Sequence, residues 1–358
     1  MLPQFDPSAL HHRLLAWLRL HYPGVLLCAM IALSATFLAE HYGGPQLLYA
    51  LLIGLSFHFM MKNTVVKPGV DLCGRTVLRL GVALLGARIT LSQVAQLGVG
   101  SALLVILAVA LTVVFGVLLA KWLGRPRDEG FLSGGAVAIC GASAALAVAS
   151  VLPQNPRNER FTLLTVVGVT VLSTLAMIVY PFALKWLAAT PQQSGLFLGG
   201  TIHDVAQVVA AGMMLGPATG DTATVVKLFR VMMLTPVVVV IALLYRRQMA
   251  DAALAVAADG QPLSASATAP ASVPLIPGFL LAFIVLMLLA SSQVFPKAWV
   301  DGASNASRWC LVTAIAAAGV KTSFEELLKL GWQPVFMLVA ETFFIACLVG
   351  AGILLMAA

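Results

Sequence analysis

The sequence predicts an all-α polytopic membrane protein with about eleven transmembrane helices. Of its 358 residues, 60% are hydrophobic and only 10% are charged, which leaves too little polar surface to solvate a soluble domain of this length. The apolar residues fall into runs near the ~20 residues that a helix needs to cross the hydrocarbon core. The basic residues, which give a net charge of +7, sit at the ends of those runs rather than in one patch. That placement fits the loop bias of membrane proteins and speaks against nucleic acid as a partner; the partner it implies is a lipid bilayer.

The runs lie near 23–40, 45–61, 76–94, 98–122, 130–152, 161–187, 194–216, 222–245, 275–292, 303–320 and 334–356. With the N terminus inside, cytoplasmic segments carry Arg13 and Arg19, then Lys62, Lys67 and Arg75, then Lys121, Arg125 and Arg127. Lys185, Arg246, Arg247, Lys321 and Lys329 continue the series, while Arg157, Arg160 and Lys297 fall on the opposite side. Eleven spans then place the C terminus outside. The basic stretch before the first run has no small-residue cleavage site behind it, so 1–22 reads as a cytoplasmic segment and 23–40 as a retained helix. Residues 250–274, rich in Ala, Ser and Pro, read as a flexible cytoplasmic linker within a single integral membrane domain, 1–358. Cys28, Cys73, Cys140, Cys310 and Cys347 show no CxxC spacing, so neither a disulfide framework nor a metal site is expected.

One internal echo suggests a repeat. GARITLSQVAQLG (86–98) aligns without gaps on GVKTSFEELLKLG (319–331), and an odd number of spans between them puts the two on opposite faces, as an inverted repeat requires. A second echo, Gly134-Gly135 against Gly199-Gly200, rests on two glycines and fails that orientation test in the eleven-span topology, so it carries little weight.

Polar residues inside apolar runs are the candidates for chemistry, because burying them costs several kcal/mol (roughly 2–7) unless a partner or a pathway compensates. The segment 133–144, SGGAVAICGASA, holds Gly134, Gly135, Cys140, Gly141 and Ser143. Three glycines within eight residues, each costing a helix about 1 kcal/mol, can break it into half-helices whose N–H ends face an anion. Equally, Gly134, Ala138, Gly141 and Ala145 form a small-residue seam for close helix packing.

His203, Asp204 and Gln207 lie inside the run 194–216. At helical spacing Asp204 and Gln207 share a face with Gly200 and Ala211. An acid beside an imidazole suits proton coupling, and three adjacent polar groups at mid-membrane favour that role over a structural hydrogen-bonded pair tying two helices together. Lys227 and Arg230, three residues apart, sit deep enough that Arg230 either pairs with Asp204 or Glu341 or meets an anionic substrate. Glu341, roughly 12 Å inside the last run, is a counter-ion for a buried cation or a proton carrier, and the counter-ion role is favoured. Asp71 is expected to cap a helix or pair with Arg75. No Walker-type phosphate loop, HExxH or GxSxG appears, so neither ATP chemistry nor a cofactor-dependent enzyme is expected.

The run RLGVALLGARITLSQVAQLG, then SGGAVAICGASAALAVAS, GTIHDVAQVVAAG and the late GVKTSFEELLKLG, together resemble the YeiH-type sulfate exporter family over about residues 45–350. The resemblance implies a bacterial inner-membrane protein and transport of sulfate or organic sulfonates. It also implies a distant relation to the bile-acid-symporter and NhaA-like folds, in which inverted repeats cross two broken helices at mid-membrane. The crossing-helix motifs then fall on Gly134, Gly135, Cys140, Gly141 and Ser143, and on His203, Asp204 and Gln207.

The expectation is a secondary transporter of a small anion, working by alternating access. The half-helix near Gly141 and Arg230 supplies positive potential, and Asp204 with His203 carries a coupling proton. Two other readings stay open: a cation/proton antiporter, although no pair of adjacent aspartates is present, and a non-transporting scaffold or sensor subunit. A homodimer is compatible with all three.

Overall fold

The computed structural model describes the chain except for residues 1–6, 44, 91, 93–94, 96, 154, 246–277, 293–294, 323–331 and 358. Most of the 86–98 and 319–331 echo and the whole linker expected at 250–274 lie outside the described residues. The described residues are helical, without strands, and five helices are long and apolar enough to cross a membrane: Leu15–Tyr42, Gly98–Trp122, Pro156–Trp186, Pro217–Tyr245 and Trp332–Met356. Among the described residues, then, five of the eleven expected runs form helices of that length and hydropathy. The remaining apolar runs are shorter, interrupted or, like Lys297–Lys321, less apolar along their length.

The chain packs as two compact units where a single domain is expected. The first comprises Met1–Thr90 and Ala282–Thr322, the second Leu91–Leu281 and Ser323–Ala358. In the first unit, helix α1 (Pro7–Tyr42) begins inside the segment expected to precede the first span. It packs with α2 (Gln46–Ser56), α3 (Lys67–Leu72) and α13 (Lys297–Lys321), and α13 also packs on the π-turn Cys73–Val77 and α4 (Leu78–Leu85), which continue the interrupted path of α3. The Ser307 hydroxyl donates to the Gly81 carbonyl at 2.6 Å. Asp71 accepts from Lys321 at 2.6 Å rather than pairing with Arg75. The helix Gly278–Ser291 is α12.

The second unit carries all the candidate residues. Its elements are α5 (Gly98–Trp122), α6 (Arg127–Ala138), α7 (Ala142–Ala149), α8 (Pro156–Trp186), α9 (Pro191–Thr201), α10 (Val205–Leu215), α11 (Pro217–Met232, prolonged past a turn to Tyr245) and α14 (Trp332–Ala357). Three of these start with Pro in the first turn, where its missing N–H costs nothing. Asn155 caps α8 by accepting from the Asn158 N–H, and Thr190 with Gln193 forms a capping box on α9.

The runs 130–152 and 194–216, expected as spans, are instead two helical hairpins. Helix α6 stops at Ala138, Gly141 takes φ +66, and α7 turns back; only glycine adopts that backbone without strain. The return is visible at the ends: Arg157 and Asn158, at the start of α8, reach Asp128 at the start of α6, and Arg157 also reaches Glu129. Helix α9 stops at Thr201, Asp204 caps α10, and α10 likewise turns back. Gly195 near the start of α9 and Gly212 near the end of α10 both pack on the first turns of α11, against Thr219, Thr222 and Gly220.

The two hairpins enter from opposite ends of the unit. Tyr245, at the far end of the α11 path, donates to Asp128, so the start of α11 and the base of the second hairpin lie at the other end. Gly134-Gly135 and Gly199-Gly200 thus stand near the tips of inversely oriented hairpins, and the echo that fails with full spans passes here. Impermeant maleimide labelling on a background without other cysteines checks this. Lys121→Cys and Glu159→Cys are expected to react from one membrane face, Lys185→Cys and Gln192→Cys from the other. Reaction of Lys121→Cys and Glu159→Cys from opposite faces would restore a full span at 130–152.

Candidate functional site

The hairpin tips, residues 139–141 and 202–204, meet inside the second unit. Each helix ending there leaves its last carbonyls without intrahelical partners and carries a partial negative charge. Two cations from α11 answer both at once. Lys227 donates to the carbonyls of Ile139, Ile202 (3.0 Å) and His203. Arg230 donates through Nε to Ala138 (2.9 Å), through Nη1 to Gly199 (3.0 Å) and Ile202 (3.2 Å), and through Nη2 to Val137 (3.0 Å) and Ala138 (2.6 Å).

Lys227 is 0% and Arg230 1% exposed, and their donors are spent on six carbonyls. A guanidinium has five N–H donors, so Arg230 has none left for a solute or a carboxylate. Arg230 is thus bonded to backbone carbonyls rather than to Asp204 or Glu341, and Lys227, a possible counter-ion by its sequence position, shares that role. The two cations hold the tips together.

His203 joins the same junction. Its Nδ1 donates to the Val137 carbonyl (3.1 Å), and Nε2 lies 3.0 Å from the Thr342 hydroxyl on α14. It is 1% exposed and ties three elements together.

Asp204 differs from both expectations. It lies outside the helix at the N-cap of α10, with Oδ1 accepting from the N–H groups of Ala206 (2.8 Å) and Gln207 (3.4 Å). It therefore shares no helical face with Gly200. Its own N–H donates to the Ser173 hydroxyl at 3.0 Å. Unlike His203, it is only half-buried. Gln207 is buried and donates to Thr174 at 2.7 Å, while its Oε1 has no partner.

The other half of the site is the start of α7. No side chain caps it, and its first N–H groups lack intrahelical partners. Ser143 in this turn is exposed, its hydroxyl directed at the Cys140 sulfur (2.9 Å) and carbonyl (3.3 Å); Cys140 itself is buried. Gly134 and Gly135 are packing positions: a Cβ on Gly134 would lie 3.1 Å from the Val113 Cα, and one on Gly135 3.1 Å from the Val148 side chain. Among the described residues no cluster of His, Cys, Asp and Glu has the makings of a metal site.

Thr342, Ser173 and Thr174 complete these contacts and were not singled out from the sequence. Hydroxyls in apolar runs bond so commonly to their own helix that their sequence signal is weak.

Comparison with known proteins now places the chain. A family model described as Conserved hypothetical protein 698 matches residues 23–338. The chain belongs to this family. A UPF0324 membrane protein of Chlorobaculum tepidum is 47% identical over 92% of this chain and 88% of its own length. UPF0324 membrane protein TauZ of Paracoccus pantotrophus is 47% identical, covering 93% and 94%, and a UPF0324 membrane protein of Rhizobium meliloti is 46% identical, covering 92% of each. The YeiH-type resemblance fits this family. No solved structure matches the chain.

For this family member the tip junction yields a stability test. Arg230→Lys keeps the charge but loses the fork, and stranding buried carbonyls costs about 1–3 kcal/mol each. Thermal unfolding in detergent is expected to fall by at least about 3 kcal/mol in stability. An unchanged midpoint would mean that the guanidinium bonds do not hold the tips.

Proposed function

We propose that the protein is a secondary active transporter of a small anion, of the sulfate or organic sulfonate class that the family resemblance suggests, coupled to protons. One observation carries this reading: the uncapped N-terminal turn of α7, at a hairpin tip inside an apolar unit, beside an exposed Ser143. A helix start in that position presents N–H donors and a partial positive charge to an anion. Membrane transporters use broken helices in this way, since irregular backbone at membrane depth is tolerated only where it lines a cavity or is buried in protein. In this reading the hairpins are the counterparts of the crossed broken helices of NhaA-like folds.

Asp204 is the coupling acid in this scheme. It is the half-buried ionisable group of the junction, and its position at a helix start lets it lose or gain a proton while remaining a cap. Asn caps a helix about as well as Asp. Asp204→Asn is therefore expected to keep the thermal midpoint while abolishing proton-linked sulfate or sulfonate flux in proteoliposomes. Full proton-linked flux in a folded variant would remove Asp204 from the mechanism. Sodium-dependent proton flux without anion flux would favour the antiporter reading instead. The absence of any anion-induced thermal shift across sulfate, sulfonates and carboxylates would favour a scaffold.

The corrected topology also supports a membrane orientation. Lys121, Arg125, Arg127, Arg157 and Arg160 share the Asp128 end of the second unit, against Lys185 at the other. Moving Arg157 and Arg160 to the basic side strengthens the bias that assigns this end to the cytoplasm of a bacterial inner membrane.

A further inference from the structure

Away from the hairpin tips, α14 carries an acid that neither cation of the junction serves. Glu341 is 0% exposed and lies against the contact between α5 and α6. That contact is lined by glycine: a Cβ on Gly116 would stand 2.7 Å from the Gly130 carbonyl and 2.8 Å from Glu341 Oε1. The acid is thus wedged into a seam that leaves no space for a methyl group.

Its polar surroundings are sparse. Oε1 lies 2.7 Å from the Ser133 hydroxyl, and Oε2 has no partner. On α6, Glu129 lies one turn from Ser133, but its carboxylate is engaged by Arg125 and Arg157. The described parts of α5, α8 and α9 direct no charged group at Glu341, and α14 has no other charged residue. His203 is bonded to the neighbouring Thr342 rather than to the acid. An unpaired carboxylate in such a place is costly, of order several kcal/mol even after relaxation.

The Ser133 hydroxyl offers a way to hold a proton there. It lies 2.9 Å from the Glu129 carbonyl as well as 2.7 Å from Glu341, and it has one proton. A carbonyl only accepts. When Ser133 donates to Glu129, its contact with Glu341 is a hydrogen bond only if the carboxyl group is the donor.

We propose that Glu341 is a proton-binding site in the membrane interior, its carboxyl donating to Ser133 while Ser133 donates to the Glu129 carbonyl. On release of the proton the Ser133 hydroxyl rotates to donate to the carboxylate, so each state keeps one hydrogen bond to Glu341. The proton exchanges with water at the Asp128 end, where Glu129 and the partly exposed Arg125 continue the polar face of α6. The site is distinct from Asp204, and its existence does not depend on what the protein transports.

Infrared difference spectroscopy of the full-length protein in lipid bilayers tests this without a transport assay. The spectrum between low and high pH is expected to contain the carbonyl band of a protonated carboxylic acid that shifts on exchange into D2O. Glu341→Gln, close in shape, is expected to delete that band and leave the Asp204 contribution. Ser133→Ala, which removes the hydrogen-bond acceptor, is expected to move the band to higher frequency, and this second variant decides the question if the first does not fold. A band unaffected by either substitution, or one insensitive to D2O, would overturn the proposal. Loss of proton-linked flux in Asp204→Asn leaves these bands in place, so the two readings fail separately.

Discussion

The second unit depends on a single electrostatic constraint: the carbonyl ends of two opposed hairpins must be neutralised where water is scarce. Either end alone would carry a partial negative charge into apolar surroundings, and bringing the two together compounds the cost. One turn of α11 resolves it, because Lys227 and Arg230 stand three residues apart and so face the same way. The two cations are tolerated there for the same reason, since each desolvated charge is matched by aligned backbone dipoles. Neither the tips without the cations nor the cations without the tips would be stable.

This constraint redistributes the roles of the charged residues. With the cations committed to backbone, the proposed anion site falls to the start of α7 and the proposed coupling acid to Asp204. His203 belongs with the cations, as a strut between tip and α14. The site is asymmetric: α10 is capped by a carboxylate and α7 is not, so one helix start is compensated and the other is open. That difference is what the transport proposal rests on.

Much of the broad design was legible in the sequence. The apolar runs, the glycine-rich SGGAVAICGASA, the polar TIHDVAQ and the buried pair Lys227 and Arg230 all pointed to the region where the structure converges. The hairpins were not, because hydropathy scores a segment that goes halfway in and returns much like one that passes through. Local signals were nonetheless present. Asp204 before VAQ is a helix cap, and Asn155-Pro156, Thr190-Pro191 and Gly216-Pro217 each mark a fresh helix start. Reading these first would have divided 194–216 at Asp204. The partner of Arg230 was beyond reach from sequence, since backbone carbonyls are present at every residue and only geometry shows which ones are left unpaired.

The shared Ile202 carbonyl, which accepts from both Lys227 and Arg230, has a mechanical corollary. Prising one hairpin tip from the other would strand charge and dipole together in a dry interior. Any cycle that exposes this region first to one compartment and then to the other must therefore shuttle the knotted centre as one piece, with its surroundings sliding past it.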